Sequence, residues 1–318
     1  YPLPHVKDSL EFIMRGYGDS RGGFMKFADK DMTNAFRQVA IDRAASELLS
    51  IVTPWGQYRP AFLPEGIAPA TAILQKVVDT VFRDIKDCTI VIYDNILVCG
   101  LDEKDLVRNM KRAILCCVRA NIKLKLSKCW FGVNEVQFFG YKVTQGSYEL
   151  DDERILKSQE IPFPADDSKA TPRLKRAKMQ SYLGVGGFFE SFILGYAMLT
   201  QDLYDMTHAD FDWDESTWTK DYRAIFERHK KALLSSFRVH FPDFDLPWFL
   251  EVDSCNRALG GILYQVHPTE GKQPLAILGH KFTETARRWH IVDKEAFAGY
   301  FCIKKLTRML RGKRFTLV

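Results

Sequence analysis

Residues 88–99 read Cys-Thr-Ile-Val-Ile-Tyr-Asp-Asn-Ile-Leu-Val-Cys. Two apolar, β-rich runs flank the polar pair Asp94–Asn95, which is the pattern of a buried β-hairpin with a polar turn. Ahead of it, Ala72, Leu74, Val77, Val78, Val81 and Phe82 recur at helical spacing and predict an amphipathic helix over 68–85. Segment 24–41 starts strand-like and turns helix-like, with the carboxylate of Asp31 at the join. Segment 102–120 again reads helical, and 135–143 strand-like. Strands alternating with helices imply an α+β sandwich, with helices packed on one face of an antiparallel sheet.

Beyond residue 161 the texture changes. The stretch 161–178 carries three prolines and five basic residues, a linker running into a basic helix start. Segment 179–203 reads helical, 208–218 is a Trp-containing polar turn, and 220–236 is helical. A third region begins near Pro242, where 248–252 and 260–266 alternate as paired strands and a helix comes after them over 293–310. With 318 residues the chain is long enough for two or three domains, and the boundaries expected are 1–148, 149–241 and 242–318.

Composition excludes some classes. The formal charge of +5 is compatible with a polyanion partner without demanding one. Seven cysteines, with no Cys/His cluster at zinc-ligand spacing, read as reduced thiols of a cytosolic or nuclear protein. No apolar run is long enough to span a bilayer, so no membrane partner is expected. Tyr1 and Val318 read as cut ends.

Asp31 and Asp94 each end or turn an apolar β-like run, so each sets a carboxylate at the accessible edge of a sheet. Two such carboxylates together can hold a pair of divalent cations about 4 Å apart, the arrangement that serves in-line phosphoryl transfer. Magnesium prefers hard oxygen ligands and keeps room for water and phosphates, so two or three carboxylates suffice. Spacing alone does not separate this reading from a pair of ordinary turn residues.

Five phrases in order add to it. Residues 27–41, FADKDMTNAFRQVAI, resemble the first catalytic motif of reverse transcriptases. Residues 63–75, LPEGIAPATAILQ, look like the second, and 92–98, IYDNILV, resemble the Tyr-x-Asp-Asp box. Residues 124–129, LKLSKC, are similar to the fourth motif, and 138–141, FFGY, to the primer grip. The closest resemblance is to gypsy-type long-terminal-repeat retrotransposons, whose phrases YPLP and MQSYLGVGGFFESFI also echo. The fold it implies is α+β, a right-hand polymerase palm with a helical thumb and connection, followed by a partial ribonuclease H-like α/β domain.

Carried over residue by residue, the resemblance makes Asp31 and Asp94 catalytic metal ligands, with Asn95 beside them. It sets Phe36 under the sugar of the incoming nucleotide, where a bulky ring would exclude a 2′ hydroxyl. Gln75 would contact that nucleotide, and Gly66 would let backbone approach the template closely. Lys128 would neutralise or protonate the leaving pyrophosphate, or stand as a solvated surface lysine. Phe139, Gly140 and Tyr141 would hold the primer end. The basic group Arg173, Lys175, Arg176 and Lys178 would track a duplex backbone as part of the thumb, or form a solvated face.

Two departures stand out. The family's second Asp of the box is Asn95 here, which removes one negative charge, and Tyr93 adjoins Asp94 while Ile92 takes the usual tyrosine position. The family's fingers would precede Tyr1.

Downstream, 249–254 (FLEVDS) and 258–265 (ALGGILYQ) resemble the opening strands of the ribonuclease H fold, which makes Asp253 the first acid. Residues 293–298 (DKEAFA) resemble the helix bearing the second, Glu295. A third acid would come after Val318. The implied activity is DNA synthesis templated by RNA or DNA, from a DNA primer and deoxynucleoside triphosphates, with Mg²⁺ or Mn²⁺. The second domain would cut the RNA of an RNA–DNA hybrid. The setting implied is a polyprotein in a cytoplasmic virus-like particle or the nucleus, with room for a dimer or larger assembly. The rival reading is a catalytically lapsed, nucleic-acid-binding scaffold subunit.

Overall fold

The 88–99 segment is a hairpin in the computed structural model, which describes residues 1–17 and 26–318. The chain divides into two compact units, one of Tyr1–Phe139 with Val143–Gly146 and one of Gly140–Lys142 with Ser147–Val318. The regions expected as 149–241 and 242–318 fall together in the second unit.

In the first unit the elements run α1 (Val6–Tyr17), β1 (Lys26–Asp31), α2 (Arg43–Leu48), β2 (Ile51–Thr53), β3 (Gly56–Tyr58) and α3 (Ala70–Val81). They continue through β4 (Thr89–Ile92), β5 (Asn95–Gly100), α4 (Glu103–Arg119), β6 (Trp130–Val133) and β7 (Glu135–Phe138). The main sheet has the order β4–β5–β1–β6, with every neighbouring pair antiparallel. Ala28 of β1 and Met32 just after it, Ile96 and Val98 of β5, Leu74 and Val78 of α3, and Ala113 and Cys117 of α4 form one buried core. That core is the expected helix-on-sheet layer.

The helix predicted over 68–85 is shorter. α3 stops at Val81, and a 3₁₀ turn over Arg83–Ile85 carries Phe82 and Ile85 into the same core. The start of α4 is capped in both directions, because Asp102 accepts from the Asp105 N–H and Asp105 accepts from the Leu101 N–H. Within segment 24–41 the strand is β1, and the chain then enters a 3₁₀ turn, Ala35–Gln38, rather than an α-helix. Phe24 and Met25 lie outside the described residues.

The strand expected over 135–143 is split. β7 ends at Phe138, and β8 (Tyr141–Thr144) begins after Phe139 (φ 51°) and Gly140 (φ 79°), two consecutive left-handed residues that turn the chain. The division between the units passes through this turn.

The second unit continues with β9 (Ser147–Leu150), α5 (Asp152–Glu160), α6 (Pro172–Gly186), α7 (Tyr196–Asp205), α8 (Tyr222–Leu234) and β10 (Val239–His240). Met179, Tyr182 and Leu183 of α6, Leu203 of α7 and Phe226 of α8 meet in an aromatic-rich core. The single helix expected over 179–203 is broken because Gly187–Phe192 tightens into a 3₁₀ turn and Gly195 adopts φ 71°.

β11 (Trp248–Ser254), β12 (Ala258–His267) and β13 (Gly271–Lys281) form an antiparallel meander, and β14 (Phe315–Leu317) adds to β11 in parallel. Between them come α9 (Glu284–Arg287), α10 (Ile291–Lys305) and α11 (Thr307–Leu310), of which α10 and α11 correspond to the helix predicted over 293–310. Trp248 and Leu250 of β11 pack with Ala298, Cys302 and Leu310 of the helices. Among the described residues no helix is long and apolar enough to cross a membrane.

Candidate active site

Strand register builds the first site. β1 and β5 pair so that Asp31 lies directly across from Asn95, and β4 and β5 pair Ile92 with Asn95. The hairpin loop is therefore two residues, Tyr93 and Asp94. Asp94 sits beside Asp31, because its carbonyl accepts from the Met32 N–H at 2.8 Å. Asp31, Asp94 and Asn95, separated by more than sixty positions in sequence, meet at one end of the sheet, each half-buried.

Tyr93 has φ 55°, a left-handed conformation that costs an L-residue about 1–2 kcal/mol. Gln75 offsets it. Its Oε1 accepts from the Tyr93 N–H at 2.9 Å while its Nε2 donates to the Val91 carbonyl at 3.0 Å. Gln75 is fully buried, and its two bonds support the turn from beneath. The sequence signal was a polar residue inside the buried stripe of α3. The ring of Tyr93 meets Phe139 edge-on, with centroids 6.2 Å apart.

Lys128 reaches the site from the other side. Its Nζ lies 3.3 Å from Asp31 Oδ2, and the Lys125 N–H donates to the Asp31 carbonyl at 2.8 Å. Phe36 is half-buried against the core beside Ala35, in the turn after β1. Gln38, to which no role was assigned from sequence, ties that turn to the 123 backbone, donating to Lys123 O at 3.0 Å and accepting from its N–H at 2.7 Å. Gly66 is exposed at φ 87° with open space where a Cβ would stand, so its backbone is bare on that side.

Two charged residues of β1 also escaped the sequence reading. Asp29 is on the Asp31 face of the strand, and burial pushes its carboxyl up to about 6. Lys30 points the other way, into the core, and burial holds its ammonium below the usual range.

Asp31 and Asp94 with the Asn95 amide are a hard-oxygen donor set of the kind a divalent cation accepts while keeping waters and phosphate oxygens. Among the described residues no group of three or more His, Cys, Asp or Glu gathers at metal-holding distance.

The second candidate site is less assembled. Even-numbered residues of β11 face the helices, so Asp253 alternates to the other side, across from Gly260. There it lines a 290 Å³ cleft with Leu194, Met198, Glu251 and Cys255. Glu295 is exposed in the first turns of α10. Among the described residues neither carboxylate has a hydrogen bond or ion pair. In α6, Thr171 caps the N-terminus, and Arg173, Lys175, Arg176 and Lys178 come within the next two turns. Lys178 pairs with Asp167 at 2.6 Å, while Arg173 is exposed. Cations in a first turn oppose the helix dipole, so helix stability alone does not account for them.

Comparison with known proteins agrees with this geometry. Residues 10–143 match the family described as reverse transcriptase (RNA-dependent DNA polymerase). Residues 218–317 match the RNase H-like domain found in reverse transcriptase. The chain carries a reverse transcriptase domain and an RNase H-like domain of the kind found in reverse transcriptase. Such domains are generally dependent on divalent metal.

Its relatives are Pol polyproteins of long-terminal-repeat retrotransposons, consistent with the gypsy-type resemblance of its motifs. The Pol polyprotein from transposon 412 of Drosophila melanogaster is 25% identical over 319 residues, covering 100% of this chain and 24% of the relative. That from Drosophila transposon opus is 27% identical, covering 98% and 30%. The Tf2-7 polyprotein of Schizosaccharomyces pombe is 25% identical, covering 94% and 21%. The chain thus spans less than a third of these relatives.

Among solved structures, the foamy viral protease–reverse transcriptase in complex with RNA/DNA hybrid superposes with a TM-score of 0.77 at 18% identity, covering 99% of this chain and 40% of that one. The same enzyme in complex with dsDNA gives 0.79 at 18% identity, covering 100% and 62%. These likenesses establish the palm and ribonuclease H-like folds.

Proposed function

We propose that the longer protein containing this chain is an RNA- and DNA-templated DNA polymerase whose second domain acts on RNA–DNA hybrids. The observation that carries the reading is the register that sets Asp31 across from Asn95 and beside Asp94, with Lys128 at 3.3 Å. The functional regions assigned are a fingers remnant and palm over 1–148, a thumb and connection over 149–241 and a partial ribonuclease H-like domain over 242–318.

Asp31 and Asp94, assisted by the Asn95 amide, would hold Mg²⁺ or Mn²⁺. Bound there, the metal supplies charge stabilisation for the attacking and leaving oxygens of an in-line displacement. The primer 3′ oxygen bonds to the α-phosphorus of a deoxynucleoside triphosphate as the bond to pyrophosphate breaks. The Lys128 ammonium, next to Asp31, neutralises the departing pyrophosphate or gives it a proton. Phe36 closes the space a 2′ hydroxyl would need. Gly66 admits the template backbone, and Phe139, Gly140 and Tyr141 form the turn that holds the primer end. Gln75 acts through the Tyr93–Asp94 loop and not on the nucleotide. The α6 cations track duplex phosphates, and the foamy viral enzyme in complex with RNA/DNA hybrid and with dsDNA supports such partners. Asp253 and Glu295 are the acids assigned to hydrolysis of the RNA strand. The compartment proposed is a virus-like particle in the cytoplasm, or the nucleus.

The test is primer extension by the full-length protein on an RNA template, in Mg²⁺ and then in Mn²⁺, with Asp31→Ala as control. DNA synthesis that disappears in Asp31→Ala supports the polymerase. Absent extension under both metals, with hybrid binding intact, favours the binding or scaffold subunit to which Asn95 points.

A further inference from the structure

The Asp31 face of the palm sheet carries a large aromatic ring with no role in the chemistry above. Trp130 opens β6, the edge strand, and is 65% exposed. Its cross-strand partner is Asp29, so the two share a face, and Asp31 is the next residue along that face. Strand spacing therefore sets the Trp130 backbone roughly 8 Å from that of Asp31.

The segment leading to Trp130 is anchored. The Lys125 N–H donates to the Asp31 carbonyl, Lys128 Nζ contacts the Asp31 carboxylate, and Cys129 Sγ donates to the Lys125 carbonyl at 3.3 Å. Among the described residues the indole has neither an aromatic neighbour nor a hydrogen-bond partner. Lys123, Lys125 and Lys128, all exposed, precede it within seven residues. An uncovered flat ring beside a run of cations matches the chemistry of a stacked base with its phosphates.

We propose that Trp130 is a stacking platform for a nucleobase at the polymerase site, a role that rests on the polymerase reading above. The base belongs either to the incoming nucleotide or to an unpaired template position next to the primer end. Both sources offer the same π-face.

The test uses the full-length protein with Trp130→Ala and Trp130→Phe, and two readouts. One is the KM for deoxynucleotides in primer extension at saturating template–primer. The other is the Kd, without nucleotide, for a primer–template with a single-stranded overhang against a blunt duplex. Stacking on the incoming base predicts that Trp130→Ala raises the KM about 5- to 100-fold with duplex binding unchanged. Stacking on the template base predicts the same rise in Kd for the overhang substrate alone. Trp130→Phe retains most of either. An indifferent Trp130→Ala in a wild-type background that binds and extends normally overturns the platform and leaves the polymerase standing. So does an equal loss in both variants. A wild-type protein that neither binds nor extends ends the polymerase reading, and this proposal with it.

Discussion

The side-chain carbonyl of Gln75 accepts a hydrogen bond from the backbone N–H of Tyr93 at 2.9 Å, across eighteen residues and from a fully buried position. With the 3.0 Å bond to Val91, it clamps the strained loop that presents Asp94. Gln75→Leu leaves a buried N–H and a carbonyl unsatisfied, at about 1–3 kcal/mol each. The expected outcome is a lower urea midpoint and a lower kcat for extension, with the KM for nucleotide little changed. A raised KM with stability intact would instead mean direct nucleotide contact.

Lys128 should separate activity from stability. Its pair with Asp31 has side-chain exposures of 58% and 20%, and such partly exposed pairs contribute at most about 1 kcal/mol. Lys128→Ala is therefore expected to leave the melting temperature nearly unchanged while slowing single-turnover incorporation by roughly a hundredfold, the scale of lost acid catalysis. Unchanged incorporation would make it a solvated lysine.

Asn95→Asp restores a carboxylate across from Asp31, and like charges directly opposite each other are destabilising. In EDTA the variant should melt at a lower temperature than wild type. Added Mg²⁺ should raise its melting temperature more and half-activate extension at a lower concentration. A variant indifferent to Mg²⁺ in both respects would remove Asn95 from the metal site.

Phe36 is half-buried against the palm core, so Phe36→Val trims a ring without opening the centre of the fold. The ratio of kcat/KM for deoxynucleotides to that for ribonucleotides is expected to fall at least tenfold, about 1.4 kcal/mol of lost discrimination. An unchanged ratio places the sugar gate elsewhere.

His229 gives the second unit a pH dependence. Burial lowers its pKa to about 4, and its Nδ1 lies 2.5 Å from the Tyr182 hydroxyl. The unfolded chain binds the proton more readily, so this contribution is fully present above about 6.5 and is lost as pH falls towards 4. The unfolding free energy of the wild type from urea titrations should decline across that window by up to about 1.4 kcal/mol per pH unit, and that of His229→Phe less steeply.

The acids proposed for the site were legible as candidates without a fold. Asp31 and Asp94 each stand where an apolar strand ends, and Asp253 stands near the end of β11. Breaks inside the expected helices and strands were not, because they depend on single left-handed residues, Phe139 and Gly195 among them, whose φ is set by neighbouring packing. The bonds of Gln75 to Tyr93 and Val91 and of Gln38 to Lys123 were not legible either, because the partner of an amide is set by long-range packing.

The sequence by itself determined the family resemblance, the order of the elements and which acids are candidates, because motif residues and apolar periodicity are local. Only the tertiary structure decided which of those acids meet. Antiparallel register brings Asp31 to Asn95 and Asp94, whereas strand alternation turns Asp253 away from the face that α10 covers. A shift of one residue in register moves a whole set of side chains to the other face, and that choice is made by long-range pairing rather than by neighbours in the chain.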